Sequence, residues 1–520
     1  MESLKASCAA RVMLPMRAMG RLLRPTSPLV LAIFLAAQPA AARPAAERDI
    51  ETHLRGHIQT LASDAMEGRK PGTPGGDLAV RYVAGQFAAV GLQPGARNGG
   101  SYSPVPLIER ETESAATEWW LNGMAFPLET GDVVLRASPE LARVVDAPLI
   151  FGGYGIHGGK TGFRTFDGVD VSGAVVLLLP GSPEGAQGVP SFDARRDALF
   201  RAGALAVLRI ETDEKSWPAM RDALAAARTD MPDAAPQPVT GAMSPSAWAR
   251  FAEIAGLQPA VADVAKPSFR AVRIGQGSVS MTVRTRLRRY TSWNVIGRLP
   301  GNDPSAGSIF YLAHWDHLGI CRPEGAPDRI CNGAVDNASG VAMMIEVARG
   351  LAEQKRTLPR DIYFVATAAE EMGLIGARTL AKSPPVDAGH IKAVVNFDTV
   401  AIAPRGAPVA TLGRGRTAMD PLIDAAARKM GRKVNPSTDA NMLLPRQDGW
   451  AFTQIGVPAV MVGGSLNMDL LEAYLGHEYH KPGDDLSQTL PLDGVAEDVR
   501  LHVRLGRMLA DPERYQPPPR

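Results

Sequence analysis

Residues 308–317 read Ser-Ile-Phe-Tyr-Leu-Ala-His-Trp-Asp-His, an apolar run that ends in polar residues able to hold a metal. Short apolar runs followed by helical patterns are typical of parallel strands in an α/β sheet. The carboxyl ends of such strands meet at one edge of the sheet, so the residues that follow them can lie close together. Three more runs end in acids: 333–335 before Asp336, 362–368 before Glu370 and Glu371, and 394–397 before Asp398.

These strand ends supply a set of metal-binding side chains. Imidazole and carboxylate groups suit zinc, and five ligands are most economically used by two cations that share one carboxylate. Converging carboxylates are costly without a cation, although each of these residues taken alone could be an ordinary loop acid or surface histidine. Glu370 is not needed as a ligand, and an additional carboxylate beside a metal indicates a general base for metal-bound water. The candidate ligands are His314, Asp336, Glu371, Asp398 and His480.

The pattern resembles the co-catalytic zinc aminopeptidases and glutamate carboxypeptidases of metallopeptidase family M28, over most of the chain. The resemblance implies that His314 and Asp398 bind one zinc, that Glu371 and His480 bind the other, and that Asp336 bridges them. It also implies that Glu370 is the general base on a zinc-bridging water. In the family a cis peptide follows the bridging aspartate, so we expect one between Asp336 and Asn337.

Three supporting residues follow from the same resemblance. Asp316 is expected to fix the tautomer of His314, and Asp484 to do the same for His480. Tyr479 occupies the position of a tyrosine that helps to hold the tetrahedral oxyanion, with a packing aromatic as the alternative. Two departures from the family, at 399–401 and at 447–449, leave the proposed ligands untouched and bear on substrate preference.

The expected fold class is α/β, a mostly parallel sheet sandwiched by helices as in zinc exopeptidases, because strand, ligand and helix alternate along the chain. At 520 residues the chain is long enough for two or three domains. Residues 115–285 lack the ligand pattern and resemble the β-rich protease-associated domain inserted in many of these peptidases. The predicted divisions are a signal peptide (1–42), the N-terminal part of the peptidase domain (43–114), the insert (115–285), the catalytic domain (286–512) and a Pro-rich tail (513–520).

The first forty residues predict export. Four arginines precede the apolar run 29–37, which ends in small residues with a cleavage site expected near Ala42. The run is too short for a transmembrane anchor, so a periplasmic or secreted protein without a stable membrane anchor is expected. The formal net charge of +2 gives no indication of a nucleic-acid partner.

Two cysteines remain after the leader. Cys321 and Cys331 lie ten positions apart in a loop rich in proline and glycine between His314 and Asp336. In an oxidising compartment such a pair is expected to form a disulfide, with extra zinc ligation as the weaker alternative.

The expected reaction is hydrolysis of a peptide bond, as an exported di-zinc aminopeptidase with peptide substrates. Carboxypeptidase or dipeptidase action of the same fold stays open, because the sequence does not show which end of the substrate is bound. A carboxylate-binding site would need arginines, and the candidates are Arg69, Arg414, Arg416 and Arg446. A glutaminyl-cyclising relative with one zinc and a receptor-like binding protein with a dead site are remote alternatives, since no ligand is missing.

Overall fold

A sheet of fifteen strands runs through the described part of the chain, which in this computed structural model comprises residues 45–158, 161–353 and 357–518. The strands are β1 (Gln93–Pro94), β2 (Tyr102–Leu121), β3 (Met124–Phe126), β4 (Val133–Arg136), β5 (Leu141–Phe151), β6 (Val175–Leu178), β7 (Ala206–Ile210), β8 (Arg228–Asp230), β9 (Val239–Met243), β10 (Val272–Leu299), β11 (Ser308–His314), β12 (Gly319–Ile320), β13 (Ile330–Cys331), β14 (Asp361–Thr367), β15 (Ile391–Asn396), β16 (Ala410–Leu412) and β17 (Ala459–Gly463), of which β12 and β13 form a separate hairpin.

Helices flank this sheet, and short helical turns connect several of them to the strands. The α-helices are α1 (Ala45–Leu61), α2 (Pro74–Ala89), α3 (Phe192–Arg201), α4 (Trp217–Ala225), α5 (Pro245–Ile254), α6 (Gln258–Asp263), α7 (Gly340–Ala352), α8 (Ile375–Lys382), α9 (Asp420–Lys429), α10 (Gly449–Thr453), α11 (Met468–His477) and α12 (Leu492–Leu509). The helical turns are Asp64–Arg69, Pro304–Ala306, Ala334–Ser339, Ala388–His390, Asp439–Arg446 and Gly464–Leu466.

The C-terminal half of the sheet, from β10 onward in the chain, has the strand order β16-β17-β15-β11-β14-β10. Its four central strands, β17, β15, β11 and β14, are parallel, while β16 and β10 are antiparallel edges of this group. The predicted α/β class with a mostly parallel sheet is therefore confirmed. Because the central strands are parallel, their carboxyl ends open on the same edge of the sheet.

The strand β11 shows why this sheet needs helices on both faces. All seven of its residues are buried, and successive side chains point to opposite faces. Tyr311 packs in a core with helices α1, α7 and α12, whereas Phe310 and Leu312 pack in a second core with Phe452 of α10. A continuous apolar run such as this one fits a strand that is covered twice.

The region from β2 to the start of β10 forms its own mixed layer. Strands β5, β6, β7 and β9 are parallel, and a second large apolar core lies on them. The 28-residue strand β10 pairs with β2 and β5 in this region and with β14 in the C-terminal half of the sheet. The predicted division between residues 285 and 286 thus falls within one strand, and the assignment of a protease-associated insert stays a prediction.

Two sequence-based expectations concern the chain ends. The predicted signal peptide lies outside the described residues. Among the helices that are described, none has the length and apolar character that a membrane crossing requires.

Candidate metal centre

The predicted ligands converge at the carboxyl edge of the central strands. His314 is the last residue of β11, Glu371 follows β14 and Asp398 follows β15. Asp336 lies in the helical turn before α7, and His480 follows α11. His480 adopts a left-handed backbone conformation (φ 60°), as does Ala369 beside the carboxylates (φ 56°), and such conformations cluster at functional sites.

Asp336 stands between two groups of ligands, with one carboxylate oxygen toward each. Its Oδ1 lies 3.3 Å from Nε2 of His314, which is 3.6 Å from Oδ1 of Asp398. Its Oδ2 lies 3.4 Å from Nε2 of His480, which is 2.9 Å from Oε2 of Glu371. The structure therefore brings all five predicted residues together in two groups that share Asp336.

The chemistry of this set fits divalent cations. Nε2 of His314 and Nε2 of His480 are buried without a satisfactory hydrogen-bond partner, as expected of nitrogens that donate to a metal. Burial lowers the pKa of His314, but the charges of Glu370 and Asp398 outweigh it and hold that pKa well above its ordinary value. So many carboxylates around two imidazoles require positive charge, which zinc would provide.

A third histidine, His317, belongs to the same cluster. It is fully buried, and its Nδ1 lies 2.6 Å from Oε1 of Glu371 and 3.9 Å from Oδ2 of Asp336. His317, Asp336 and Glu371 offer atoms close enough to hold one ion. His317 is not among the ligands predicted from the sequence, although its position three residues after His314, at the same strand end, is a usable signal.

Glu370 lines the cavity beside the ligands but lies outside both groups of metal-binding atoms. Its backbone N–H donates to Oδ1 of Asp316 over 3.1 Å, which fixes the turn that carries it. Burial raises the pKa of Glu370 well above its ordinary value, although the charge of His314 opposes this effect. The negative charges of Glu371, Asp398 and Asp448 raise the pKa further. A carboxylate in this setting has a strong tendency to accept a proton.

Asp448 is a further buried acid that sequence reasoning missed. It accepts a short hydrogen bond from the hydroxyl of Thr367, at the end of β14. Burial raises the pKa of Asp448 to about 6, partly against the charge of His314. Its neighbours at 447 and 449 depart from the family pattern, and nothing in the local sequence distinguishes Asp448 from an ordinary loop acid.

The two predicted supporting aspartates use different contacts from those expected. Nδ1 of His314 donates to the main-chain carbonyl of Asp316 over 3.1 Å, whereas the carboxylate Oδ1 of Asp316 is 3.9 Å away. Asp484, expected behind His480, instead accepts hydrogen bonds from the backbone N–H groups of Val335 and Asp336 over 2.9 and 3.0 Å. Its role is to fix the segment that carries the shared ligand, because a carboxylate can satisfy successive N–H groups.

Tyr479 lies at the mouth of the site. Its ring stacks on His480 with a centroid distance of 3.7 Å, and its hydroxyl lies 3.4 Å from a guanidinium nitrogen of Arg446. Burial, followed by the charges of Asp336 and Glu371, raises the pKa of Tyr479, so the hydroxyl remains a hydrogen-bond donor. Both of its predicted roles, packing and oxyanion binding, are compatible with this position.

Arg69 does not face the substrate, which corrects the sequence-based expectation for this residue. Its side chain is fully buried and donates to the carbonyl of Trp315 (2.8 Å) and to those of Asn332 (2.6 Å) and Gly333 (2.9 Å). Burial lowers its pKa to about 10, while the charge of Asp484, the largest opposing effect, raises it. Arg69 therefore joins the backbone after His314 to the backbone before Asp336.

Of the other candidate arginines, Arg446 alone lines the cavity beside the ligands. Arg414 forms an ion pair with Asp424, and Arg416 lines a different cavity. Arg446 is therefore the residue among the four that is placed to meet a substrate.

Two covalent features agree with the sequence-based expectations. The peptide bond between Asp336 and Asn337 is cis. Cys321 and Cys331 form a disulfide within the loop between His314 and Asp336.

An apolar cavity opens directly onto the metal-binding residues. Its inner wall comes from β16, β17, α11 and the turns before α10 and α11, and consists of large aliphatic side chains. Its polar end consists of Asp336, Glu370, Asp398 and Tyr479. The apolar lining residues are Leu412, Leu443, Met461, Leu466, Leu471 and Leu475.

Comparison with known proteins connects this geometry to one family. The model of peptidase family M28 matches residues 294–497. A probable leucine aminopeptidase of Arthroderma otae is 30% identical over 223 residues, which cover 41% of this chain and 56% of the relative. The probable lipoprotein aminopeptidase LpqL of Mycobacterium tuberculosis is 25% identical over 355 residues, which cover 66% of this chain and 57% of the relative. The chain therefore spans little more than half the length of these curated relatives.

A solved structure extends the likeness of the fold beyond the matched domain. The aminopeptidase from Aneurinibacillus sp. strain AM-1 is similar with a TM-score of 0.55 at 19% identity. The similarity covers 89% of this chain and 94% of that protein.

Proposed function

Because residues 294–497 of this chain belong to peptidase family M28, we propose that the protein is a di-zinc exopeptidase that removes N-terminal amino acids from peptides. One observation carries the proposal: the two carboxylate oxygens of Asp336 face two separate imidazole and carboxylate groups. A shared carboxylate between two such groups is the arrangement of a two-metal hydrolytic site.

His314 and Asp398 would hold one zinc, Glu371 and His480 the other, and Asp336 both. When bound, zinc ions act as Lewis acids that polarise the scissile carbonyl and lower the pKa of water. The carbonyl of Asp316 accepts a buried hydrogen bond from His314, and the carboxylate of Asp484 accepts one from the backbone N–H of Asp336; these bonds hold the ligands in place. The protein thus supplies a preorganised site on the rigid ends of its central strands.

Glu370 is the residue proposed to move the proton. It would accept a proton from the attacking water and then pass it to the nitrogen of the leaving amine. Its raised pKa favours acceptance, and its place in the cavity wall puts the carboxylate beside the ligands. Tyr479, which keeps its proton, would donate a hydrogen bond to the oxygen that becomes negative in the tetrahedral intermediate.

The apolar cavity supports a preference for a large aliphatic side chain at the substrate's first residue. Six aliphatic side chains line it next to Glu370, and burial of an apolar group there would contribute about 25 cal/mol per Å². Four similar proteins carry the name probable leucine aminopeptidase, which agrees with this preference.

Dipeptidase or carboxypeptidase action is the second candidate, favoured by Arg446. This arginine lines the cavity and approaches the hydroxyl of Tyr479. A guanidinium at this point could bind a free carboxylate, which would limit the substrate to short peptides.

A direct experiment separates these activities. The purified protein should contain two zinc ions per chain by elemental analysis and should hydrolyse leucine anilides in preference to N-blocked peptides. Exhaustive chelation should abolish this activity, and added zinc should restore it. Cleavage of a blocked peptide at its carboxyl end would establish the second candidate, and full activity without metal would exclude both.

We also propose that the protein is exported. The basic and apolar leader pattern supports export, as does the bonded pair Cys321 and Cys331, because disulfides persist in oxidising compartments. Fractionation of the producing cells, followed by N-terminal sequencing of the mature protein, tests export. A start near residue 43 outside the cytoplasm is the expected result.

A further inference from the structure

A second cavity, a narrow one, lies between β2, β4, α4 and β9, and it shares no lining residue with the cavity of the metal centre. Its wall is rich in hydrogen-bond donors that point to a negatively charged ligand. Three arginines line it, together with side chains that carry a hydroxyl or an amide: Arg110, Arg136, Arg228, Thr112, Ser138, Thr240, Thr285 and Gln237.

Two of these arginines are already engaged by the protein. Asp230 Oδ2 lies 2.9 Å from a guanidinium nitrogen of Arg110 and also 2.9 Å from one of Arg228. Arg228 further donates to the amide oxygen of Gln237 over 2.8 Å and to the hydroxyl of Ser138 over 3.1 Å. One carboxylate therefore serves two guanidinium groups, which leaves this wall with an excess of positive charge.

The third arginine, Arg136, has no hydrogen-bond or ion-pair partner within the residues that the structure describes, and its Nε is buried and unsatisfied. It is the last residue of β4 and lies half-buried. Burial lowers its pKa, and the positive charges of Arg228 and Arg196 lower it further against Asp193 and Asp230. Arg196 is itself paired with Asp193 and Asp197, so the carboxylate of Asp193 is already engaged by another guanidinium group.

An unpaired guanidinium held among other cations is costly when it is partly desolvated. A ligand with negative charge would remove this cost. The planar guanidinium group matches the oxygen pairs of carboxylate and phosphate, and neighbouring hydroxyl and amide groups can complete the hydrogen bonds. The small volume of the cavity restricts such a ligand to an ion or to the acidic end of a larger molecule.

We propose that this cavity is a binding site for a small oxyanion, with Arg136 as its principal ligand-binding residue and Arg228 as a second donor. The site lies in the region 115–285 and uses none of the residues proposed for catalysis. Its ligand would link the end of β4 to the strand β8 through two arginines. Binding should therefore raise the melting temperature.

The test compares the full-length mature protein with the variant Arg136→Gln, using sodium phosphate, sodium sulfate and sodium acetate as probes at constant ionic strength set with sodium chloride. Isothermal titration calorimetry and thermal unfolding are both measured. Arg143→Gln is the matched control, because Arg143 is exposed on β5 in the same region and does not line the cavity. Phosphate bound at the metal centre would affect all variants equally, so the difference between variants reports this cavity.

We expect saturable binding in the wild type and the control, at least a tenfold loss of affinity in Arg136→Gln, and loss of the thermal shift. Preference for phosphate and sulfate would identify a tetrahedral ion as the ligand, and preference for acetate would identify a carboxylate. Equal binding by wild type and Arg136→Gln, or no binding of any probe, would overturn the proposal. If Arg136→Gln does not fold, Arg136→Lys replaces it, because lysine keeps the charge and loses the paired donors; unchanged affinity in that variant would also overturn the proposal.

Discussion

Nδ1 of His317 lies 2.6 Å from Oε1 of Glu371, while the other oxygen of the same carboxylate faces His480. Glu371 is therefore held from behind by a buried imidazole. We expect His317→Asn to weaken binding of one zinc by about 10- to 100-fold, the usual cost of losing such a supporting contact. Zinc titration in chelator buffers checks this, with His390→Asn as an exposed control. Unchanged affinity for both ions would show that His317 is only a packing residue.

The variant Glu370→Gln separates the proposed base from the ligands. Glutamine keeps the size of the side chain but cannot accept the proton, so turnover should fall by about 10²- to 10⁴-fold. Zinc content should stay at the wild-type value, because Glu370 lies outside the two groups of metal-binding atoms. Glu472→Gln, on the exposed face of α11, serves as the control for both measurements. Loss of zinc in Glu370→Gln would instead make this residue a ligand.

Arg69→Met should destabilise the protein. The substitution leaves the carbonyls of Trp315, Asn332 and Gly333 without their buried donor, and each such loss costs about 1 to 3 kcal/mol. We expect the free energy of unfolding in urea to fall by about 3 to 5 kcal/mol, with weaker zinc retention as well. Arg55→Met, exposed on α1, should change the free energy by less than about 0.5 kcal/mol. A similar small effect in both variants would contradict the role assigned to Arg69.

Leu475→Trp tests the apolar cavity. The larger ring would occupy space intended for the substrate side chain, so kcat/KM for leucine anilide should fall by about tenfold or more relative to alanine anilide. The ratio of the two values is the relevant measurement, since it cancels general loss of activity. Leu486→Trp, at an exposed position outside the cavity, should leave the ratio unchanged. An unchanged ratio in Leu475→Trp would place the substrate side chain elsewhere.

His502 predicts a pH dependence of stability. Burial, together with the charge of Arg432, lowers its pKa from 6.5 to about 4, and its Nε2 donates to the carbonyl of Val462 over 2.8 Å. The unfolded chain takes up a proton near pH 6.5 and the folded chain does so only near pH 4. The contribution of neutral His502 to the free energy of unfolding is therefore fully present above pH 6.5. It is lost as the pH falls toward 4, by about 3 kcal/mol.

In His502→Gln this part of the pH dependence should disappear. Urea unfolding at pH 7.5 and pH 4.5 measures it, as the difference between wild type and variant, so that other titrating groups cancel. An identical change of stability with pH in both proteins would exclude His502 as the cause.

The sequence predicted the central strands and their ligands well for a physical reason. Strands such as β11 are apolar throughout because both faces are covered, and their ends are marked by charged residues that would otherwise be expensive to bury together. Helices α7 and α12 carry buried apolar residues at helical spacing, so their pattern is also visible in the sequence.

The missed features depend on contacts between distant segments. Arg69 is a candidate substrate-binding arginine in the sequence, because local sequence cannot show that carbonyls of residues 315, 332 and 333 surround its side chain. Asp484 lies four residues after His480, yet it bonds the backbone of residues 335 and 336. The short strand β16 and the helix α11, which line the apolar cavity, carry too few residues for a periodic pattern to stand out.

Because β10 is one continuous strand, a truncated protein must keep it whole. A truncation after residue 285, the predicted domain boundary, would divide strand β10, which pairs with residues 102–120 of β2. It would leave unpaired backbone N–H and C=O groups along the separated part of the strand pair. Each fragment would then expose an unpaired strand edge that promotes aggregation. Excision that spares the whole of residues 272–299 and their partner strand would avoid that hazard.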